Sequence, residues 1–160
     1  MATVAGIIAE YAIKAMIKNG AKHAIVDNGG DIAIFSNRPV SIGIYTGHQS
    51  TSNFAIKISP QNKILGICTS SGNIGHSFSF GNTDAVTVIS RDVSLADAAA
   101  TALGNIVNSE NDIKNAFKIL ANCNKISGAA IFINNKIGLF RDFPEIIHAD
   151  VPYELITRGR

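Results

Sequence analysis

Hydrophobic residues along the first twenty positions recur at helical intervals. Val4, Ile7, Ile8, Tyr11 and Ala15 form one stripe, while Glu10 and Lys14 fall opposite it as an i,i+4 ion pair. This spacing predicts a helix capped by Thr3 and closed by Asn19-Gly20. A run of short strands is expected next, at His23–Asp27, Ile32–Phe35, Val40–Tyr45, Phe54–Ile58, Ile64–Thr69 and Ala85–Ser90. Asn28-Gly29-Gly30 separates the first two and predicts a tight hairpin, because those residues tolerate positive φ.

Helical spacing returns at Leu95–Val107. After Ser109, a third helix is expected with Ile113, Ala116, Phe117, Leu120 and Ala121 on one face. Ala129–Ile133 and Lys136–Phe140 read as another hairpin across Asn134-Asn135, and a last strand is expected near Tyr153–Thr157. Hairpins dominate and the helices come in a separate block. The expected class is therefore α+β, with antiparallel sheets built from hairpins and two or three helices packed on them, rather than a doubly wound fold.

Composition narrows the picture modestly. At 160 residues the chain is expected to be one domain, and 46% hydrophobic against 16% charged residues leaves room for self-association. No apolar run approaches the roughly 20 residues of a membrane span. The N-terminus resembles neither a signal peptide nor a transit peptide, since Glu10, Lys14 and Lys18 interrupt its apolar residues. A net charge of +2 with scattered basic residues argues against nucleic acid. Cys68 and Cys123 lack metal-type spacing and are expected as reduced thiols in the cytoplasm.

The chemistry-bearing residues cluster in four segments. Ser94-Leu-Ala-Asp97 with Thr101 places a carboxylate and a hydroxyl one helical turn apart, two hard donors suited to Mg²⁺. The same residues also fit a capping-box variant, in which Ser94 and Asp97 would serve backbone N–H groups. Asp27-Asn28-Gly29-Gly30-Asp31 is a turn flanked by two aspartates. Thr69-Ser70-Ser71-Gly72, running on to His76, presents small hydroxyl residues and backbone N–H groups suited to a phosphate, though the chain has no P-loop. His76 sits in that polar loop, where an imidazole moves protons near neutral pH, whereas His23, His48 and His148 are expected to be structural or solvated. Asp84–Ser90 is an alternating strand leading to the Asp97 helix, and no hydrolase triad can be assembled.

The order Asn28-Gly-Gly-Asp31, Thr69-Ser-Ser-Gly72 with His76, Val86-Thr-Val-Ile89 and Ala96-Asp-Ala-Ala-Ala-Thr-Ala-Leu103 resembles the ApbE superfamily. The likeness is stronger still to its ApbE-like branch of uncharacterised prokaryotic proteins. It covers residues 2 to about 140. The resemblance implies an ApbE-like fold and a flavin-related role: ApbE proteins proper bind FAD, use Mg²⁺ and attach FMN to a threonine of an acceptor protein, releasing AMP. It implies Asp97 and Thr101 as metal ligands, His76 as the proton-transfer residue, and Asn28, Gly29, Gly30 and Asp31 beside the flavin nucleotide. Glu10 falls at the family's acidic position, and Thr69, Ser70, Ser71 and Gly72 line the phosphate side. Two departures count against transfer. Ala5 stands where the transferases have lysine, and Phe78-Ser79-Phe80-Gly81 replaces an Asp-Pro-x-Thr-Gly segment. Met1-Ala-Thr-Val-Ala-Gly6 also looks like an internal stretch of longer relatives, so an N-terminal portion is expected to be lacking. The functions expected are FAD binding with Mg²⁺-dependent transfer or hydrolysis, or else a non-catalytic binding or structural module.

Overall fold

In the computed structural model, residues 3–47, 53–72 and 80–149 are described. The first helix, α1, spans Val4–Lys18. Its C-terminus forms a Schellman motif: Gly20 takes φ +94°, the Gly20 N–H donates to the Ile17 carbonyl at 2.9 Å and the Ala21 N–H to the Met16 carbonyl at 3.0 Å. The N-terminus differs from expectation, because the Thr3 side chain makes no capping bond. The burial also differs. Gly6, Ala9 and Ile13 are the buried residues, while Val4, Ile7, Ile8 and Tyr11 of the expected inner stripe are exposed.

The strands are β1 (His23–Asn28), β2 (Asp31–Ser36), β3 (Val40–Gly43), β4 (Phe54–Ile58), β5 (Gln61–Ser70), β6 (Ala85–Ser90), β7 (Ile126–Ile133), β8 (Lys136–Arg141) and β9 (Ile146–His148). Six pair antiparallel in the order β1-β2-β5-β6-β7-β8, and a smaller antiparallel sheet has the order β3-β4-β9. The expected α+β class with hairpin-built antiparallel sheets is therefore observed. β3 stops at Gly43 rather than Tyr45. β6 is buried at every residue, because it lies mid-sheet with both faces covered, so the alternation read from its sequence does not mark a wet face. The strand expected near Tyr153–Thr157 lies outside the described residues.

Two cores sit on the two faces of the large sheet. On one face, Ala33, Cys68, Val86, Val88, Ala129 and Ile131 pack against α1 and against α2, which spans Val93–Ile106. On the other, Ile34, Leu65, Ile67, Ala130 and Phe132 meet Ile44, Ile56 and Ile58 around the small sheet. The third helical segment is broken into a 3₁₀ turn (Glu110–Asp112), a single α-helical turn, α3 (Ile113–Ala116), and a second 3₁₀ turn (Phe117–Leu120). Its expected face still points inward, with Ala116 and Leu120 buried and Phe117 stacked on Phe140 at 5.3 Å.

Candidate functional site

The β1–β2 hairpin supplies the first element of the site. Asn28 pairs with Asp31 across Gly29-Gly30, whose φ values of +68° and +96° suit the two-residue turns that match strand twist. Asp27 Oδ1 accepts the Gly30 N–H at 2.9 Å, and Asn28 Nδ2 donates to the Ala5 carbonyl at 3.2 Å, tying the hairpin to α1. The space above Gly29 is open: a Cβ placed there would meet nothing within 4 Å.

A cavity of about 640 Å³ opens around this turn, within the size range of small-molecule sites. Between the two sheets its walls are Ile32, Ile67, Thr69 and Thr87 from the large sheet, facing Ile42, Gly43, Ile44 and Tyr45. Thr69 and Thr87 join their hydroxyls at 3.0 Å. On the other side of the hairpin the lining includes Ala5 and Asp31, whereas Asp27, in register with Ile32, shares the inter-sheet face. The cavity therefore gathers Asn28, Gly29, Gly30, Asp31, Thr69 and Ser71 of the expected cofactor residues.

The start of α2 bears on the capping reading of Asp97. Asp92, not Ser94, is the N-cap: its Oδ1 accepts the Leu95 N–H at 3.0 Å and the Ser94 hydroxyl at 2.8 Å. These bonds hold the Asp92 carboxyl below its ordinary range. The capping box expected from Ser94 and Asp97 does not form. Asp97 is buried instead, and its Oδ2 accepts the Gly6 N–H of α1 at 2.9 Å. Glycine is required there by close approach, since a Cβ on Gly6 would lie 2.9 Å from that of Asp97.

Asp31 lies on the helix-facing side of β2, paired in register with Cys68. Burial, then the neighbouring charge of Asp97, raises its carboxyl to about 6. Burial likewise raises Asp97, opposed by the Gly6 N–H. Burial and Asp31 push the Cys68 thiol well above its usual range, so it is inert, with Sγ 3.5 Å from the Val93 carbonyl. Of these two carboxylates Asp31 lines the cavity, whereas Asp97 and Thr101, which follows it one turn later on α2 and is half-buried, are not among the lining residues.

Other expected residues are placed differently. Glu10 accepts the Val93 N–H of α2 at 3.1 Å with one oxygen and pairs with Lys14 of its own helix through the other, outside the cavity lining. Gly72 lies next to the cavity segment, where its N–H donates to the Thr83 carbonyl at 2.9 Å. His76 and His48 lie outside the described residues. His23 bonds Ser36 at 2.6 Å and His148 meets Phe54 edge-on, both structural as expected. Residues missed from sequence include Asp92 and Tyr45. An aspartate immediately before the apolar run of α2 was the available sign for the first.

Residues 1–131 match the family described as AbpE bacteria. A UPF0280 protein of Methanothrix thermoacetophila is 48% identical over 159 residues, covering 99% of this chain and 67% of its own length. A UPF0280 protein of Methanosarcina barkeri is 48% identical over 160 residues, covering 99% of this chain and 63% of its own length. The chain thus spans about two thirds of these relatives. Two solved structures share the fold. The apo flavinyl transferase ApbE of Pseudomonas stutzeri has a TM-score of 0.58 over 87% of this chain and 49% of its own, at 18% identity. The flavin transferase ApbE of Vibrio cholerae also scores 0.58, over 87% and 48%, at 16% identity. Among the described residues no helix is long and apolar enough to cross a membrane. With the motif order, the fold and these relatives in agreement, the chain belongs to the ApbE-like family described as AbpE bacteria.

Proposed function

We propose that this chain is a flavin-nucleotide-binding domain whose cavity takes FAD, with Mg²⁺ held by Asp97 and Thr101 and chemistry directed at the pyrophosphate. The observation that carries this reading is the condition of Asp97. Its carboxylate is released from capping by Asp92, buried, and set near a second raised carboxylate, Asp31. A buried and a half-buried carboxylate near each other disfavour their own charge, and a divalent cation would reverse that balance. Among the described residues no group of three or more His, Cys, Asp or Glu is assembled for a metal, so Mg²⁺ at Asp97 and Thr101 would need water for the rest of its shell. When bound, Mg²⁺ neutralises phosphate charge during displacement at phosphorus.

The chain's own residues then divide the work. The Gly29-Gly30 turn admits the ligand closely, Thr69 and Ser71 offer polar groups along the lining, with Thr87 buried behind Thr69, and the isoleucine walls exclude water. His76, by its place in the motif order, takes the proton of the attacking hydroxyl. In transfer, a threonine hydroxyl oxygen of an acceptor protein bonds to the FMN phosphorus as the bond to AMP breaks. In hydrolysis water replaces the threonine.

One observation favours a second reading, binding with little or no transfer. Ala5 lines the cavity at the position where the transferases that this chain resembles carry lysine. Losing one preorganised charge partner commonly slows reaction by about 10²–10³-fold. The test is calorimetric titration of FAD with and without Mg²⁺ into wild type and Asp97→Asn. Asparagine still accepts the Gly6 N–H, so the variant keeps its melting temperature and loses the Mg²⁺-dependent part of binding. Unchanged Mg²⁺ dependence in Asp97→Asn overturns the metal assignment, and no FAD binding by wild type overturns the flavin assignment. Incubation with FAD, Mg²⁺ and a flavinylation-competent acceptor, followed by mass spectrometry, separates the two readings. Rapid gain of one FMN by the acceptor removes the second.

A further inference from the structure

The inter-sheet half of the cavity has an aromatic wall that the carboxylate chemistry leaves unused. Tyr45 is the one aromatic residue lining the cavity among the described residues. It stands just beyond β3, and its backbone is held on both sides. Ile44 and Thr46 are 4% and 2% exposed, and the Ile44 N–H donates to the Phe54 carbonyl at 2.8 Å. Tyr45 itself is 61% exposed. A large ring kept at a cavity mouth by a locked backbone is a ready platform for a planar ligand.

We propose that Tyr45 stacks on the isoalloxazine ring of the flavin and positions it between the two sheets, an assignment that rests on the flavin reading above. The distribution of lining residues selects the ring. Ile32, Ile42, Ile44 and Ile67 line the same cavity as Tyr45, and the dimethylbenzene end of isoalloxazine is the most apolar planar piece of FAD. Adenine carries polar ring nitrogens or its amino group on every side, whereas isoalloxazine can turn its dimethylbenzene end to these side chains and keep its polar pyrimidinedione end away from them. Across the hairpin, Asp31 suits the charged middle of the ligand only with a cation present, while Asp27 is turned to the Gly30 N–H. The ring therefore lies on the Tyr45 side and the phosphates toward Asp31 and Asp97. Tyr45 is a positioning residue: it fixes where the ring rests and takes no part in the bond changes at phosphorus.

Riboflavin, AMP and FAD distinguish the ring from the nucleotide end. Each is titrated by calorimetry into wild type, Tyr45→Phe and Tyr45→Ala, with riboflavin fluorescence read in parallel. Tyrosine in contact with an excited flavin quenches it by electron donation, which phenylalanine does not do. The expected result is a loss of roughly tenfold in riboflavin and FAD affinity for Tyr45→Ala. Tyr45→Phe keeps the affinity but loses the quenching, AMP binding is unchanged, and melting temperatures hold because the ring is exposed. If wild type binds riboflavin and Tyr45→Ala binds it as tightly and as darkly, the assignment falls while the flavin reading stands. Loss confined to AMP overturns the choice of ring. No flavin binding by wild type overturns the flavin reading and this assignment together.

Discussion

α1 and α2 pack on the same face of the same sheet, yet they commit different residues to it. α2 buries Val93, Ala96, Asp97, Ala99, Ala100, Leu103 and Gly104, because β5, β6 and α1 all press on it. α1 buries Gly6, Ala9 and Ile13, and turns Val4, Ile7, Ile8 and Tyr11 outward. Small residues lead at this contact because the helices approach closely: the Gly6 N–H reaches a side chain on α2. A hydrophobic stripe marks a face that avoids water. Steric fit decides which face meets the sheet.

Core truncation is the strongest way to break this comparison. Leu103→Ala on α2 and Ile13→Ala on α1 each remove a side chain with no exposed surface, and each is expected to lower stability by about 2–5 kcal/mol in urea unfolding. Ile8→Ala on the outward stripe should stay within about 0.5 kcal/mol of wild type, since that side chain is 54% exposed. A loss at Ile8 as large as at Ile13 would mean that the outer stripe is core after all.

The helix starts sharpen the contrast at intermediate size. Asp92→Ala removes the α2 cap and is expected to destabilise by about 1 kcal/mol. Thr3→Ala should change little, because Thr3 makes no capping bond. Thermal melts of the two variants check this, and equal losses would contradict the observed caps.

The carboxylate pair between the helices and the hairpin predicts a pH effect of definite sign. Asp31 is raised from 3.8 to about 6 in the folded protein, so the folded state holds its proton more tightly than the unfolded chain. That group's contribution is therefore fully favourable below pH 4, is lost as pH rises toward 6, and levels off above. Asp97 shifts in the same direction. Urea unfolding of metal-free protein between pH 4 and 7 should show stability declining, and Asp31→Asn should flatten the decline. A decline of the same size in Asp31→Asn would place the titration elsewhere.

The smallest expected effect is at the surface of α1. Replacing Ile7 with glutamine should leave stability within about 0.5 kcal/mol, read by the same urea titration.

Much of this molecule follows from local sequence. Asn28-Gly29-Gly30-Asp31 specifies its hairpin because only such residues adopt two successive positive φ values readily. Asn19-Gly20 ends α1 for the same reason. Strand and helix positions, and hence the α+β class, were legible within a few residues. Several expected site residues, from Asn28 to Asp31 with Thr69 and Ser71, share one cavity because the β2–β5 pairing aligns Asp31 with Cys68, the residue before Thr69.

What tertiary structure alone decided involves partners distant in sequence. Gly6 and Asp97 are 91 positions apart, and no local pattern foretells that a helix-start N–H will take that carboxylate. The choice of Asp92 over Ser94 as cap depended on where the chain leaves β6, and it freed Asp97. The third helix broke into single turns while its apolar residues packed against β7 and β8, a case of tertiary contact overriding a helical period. β9 is only three residues long and exists through pairing with β4. Local propensity selects backbone conformations over a few residues. Which faces are buried, and which charges meet, is settled by packing across the whole chain.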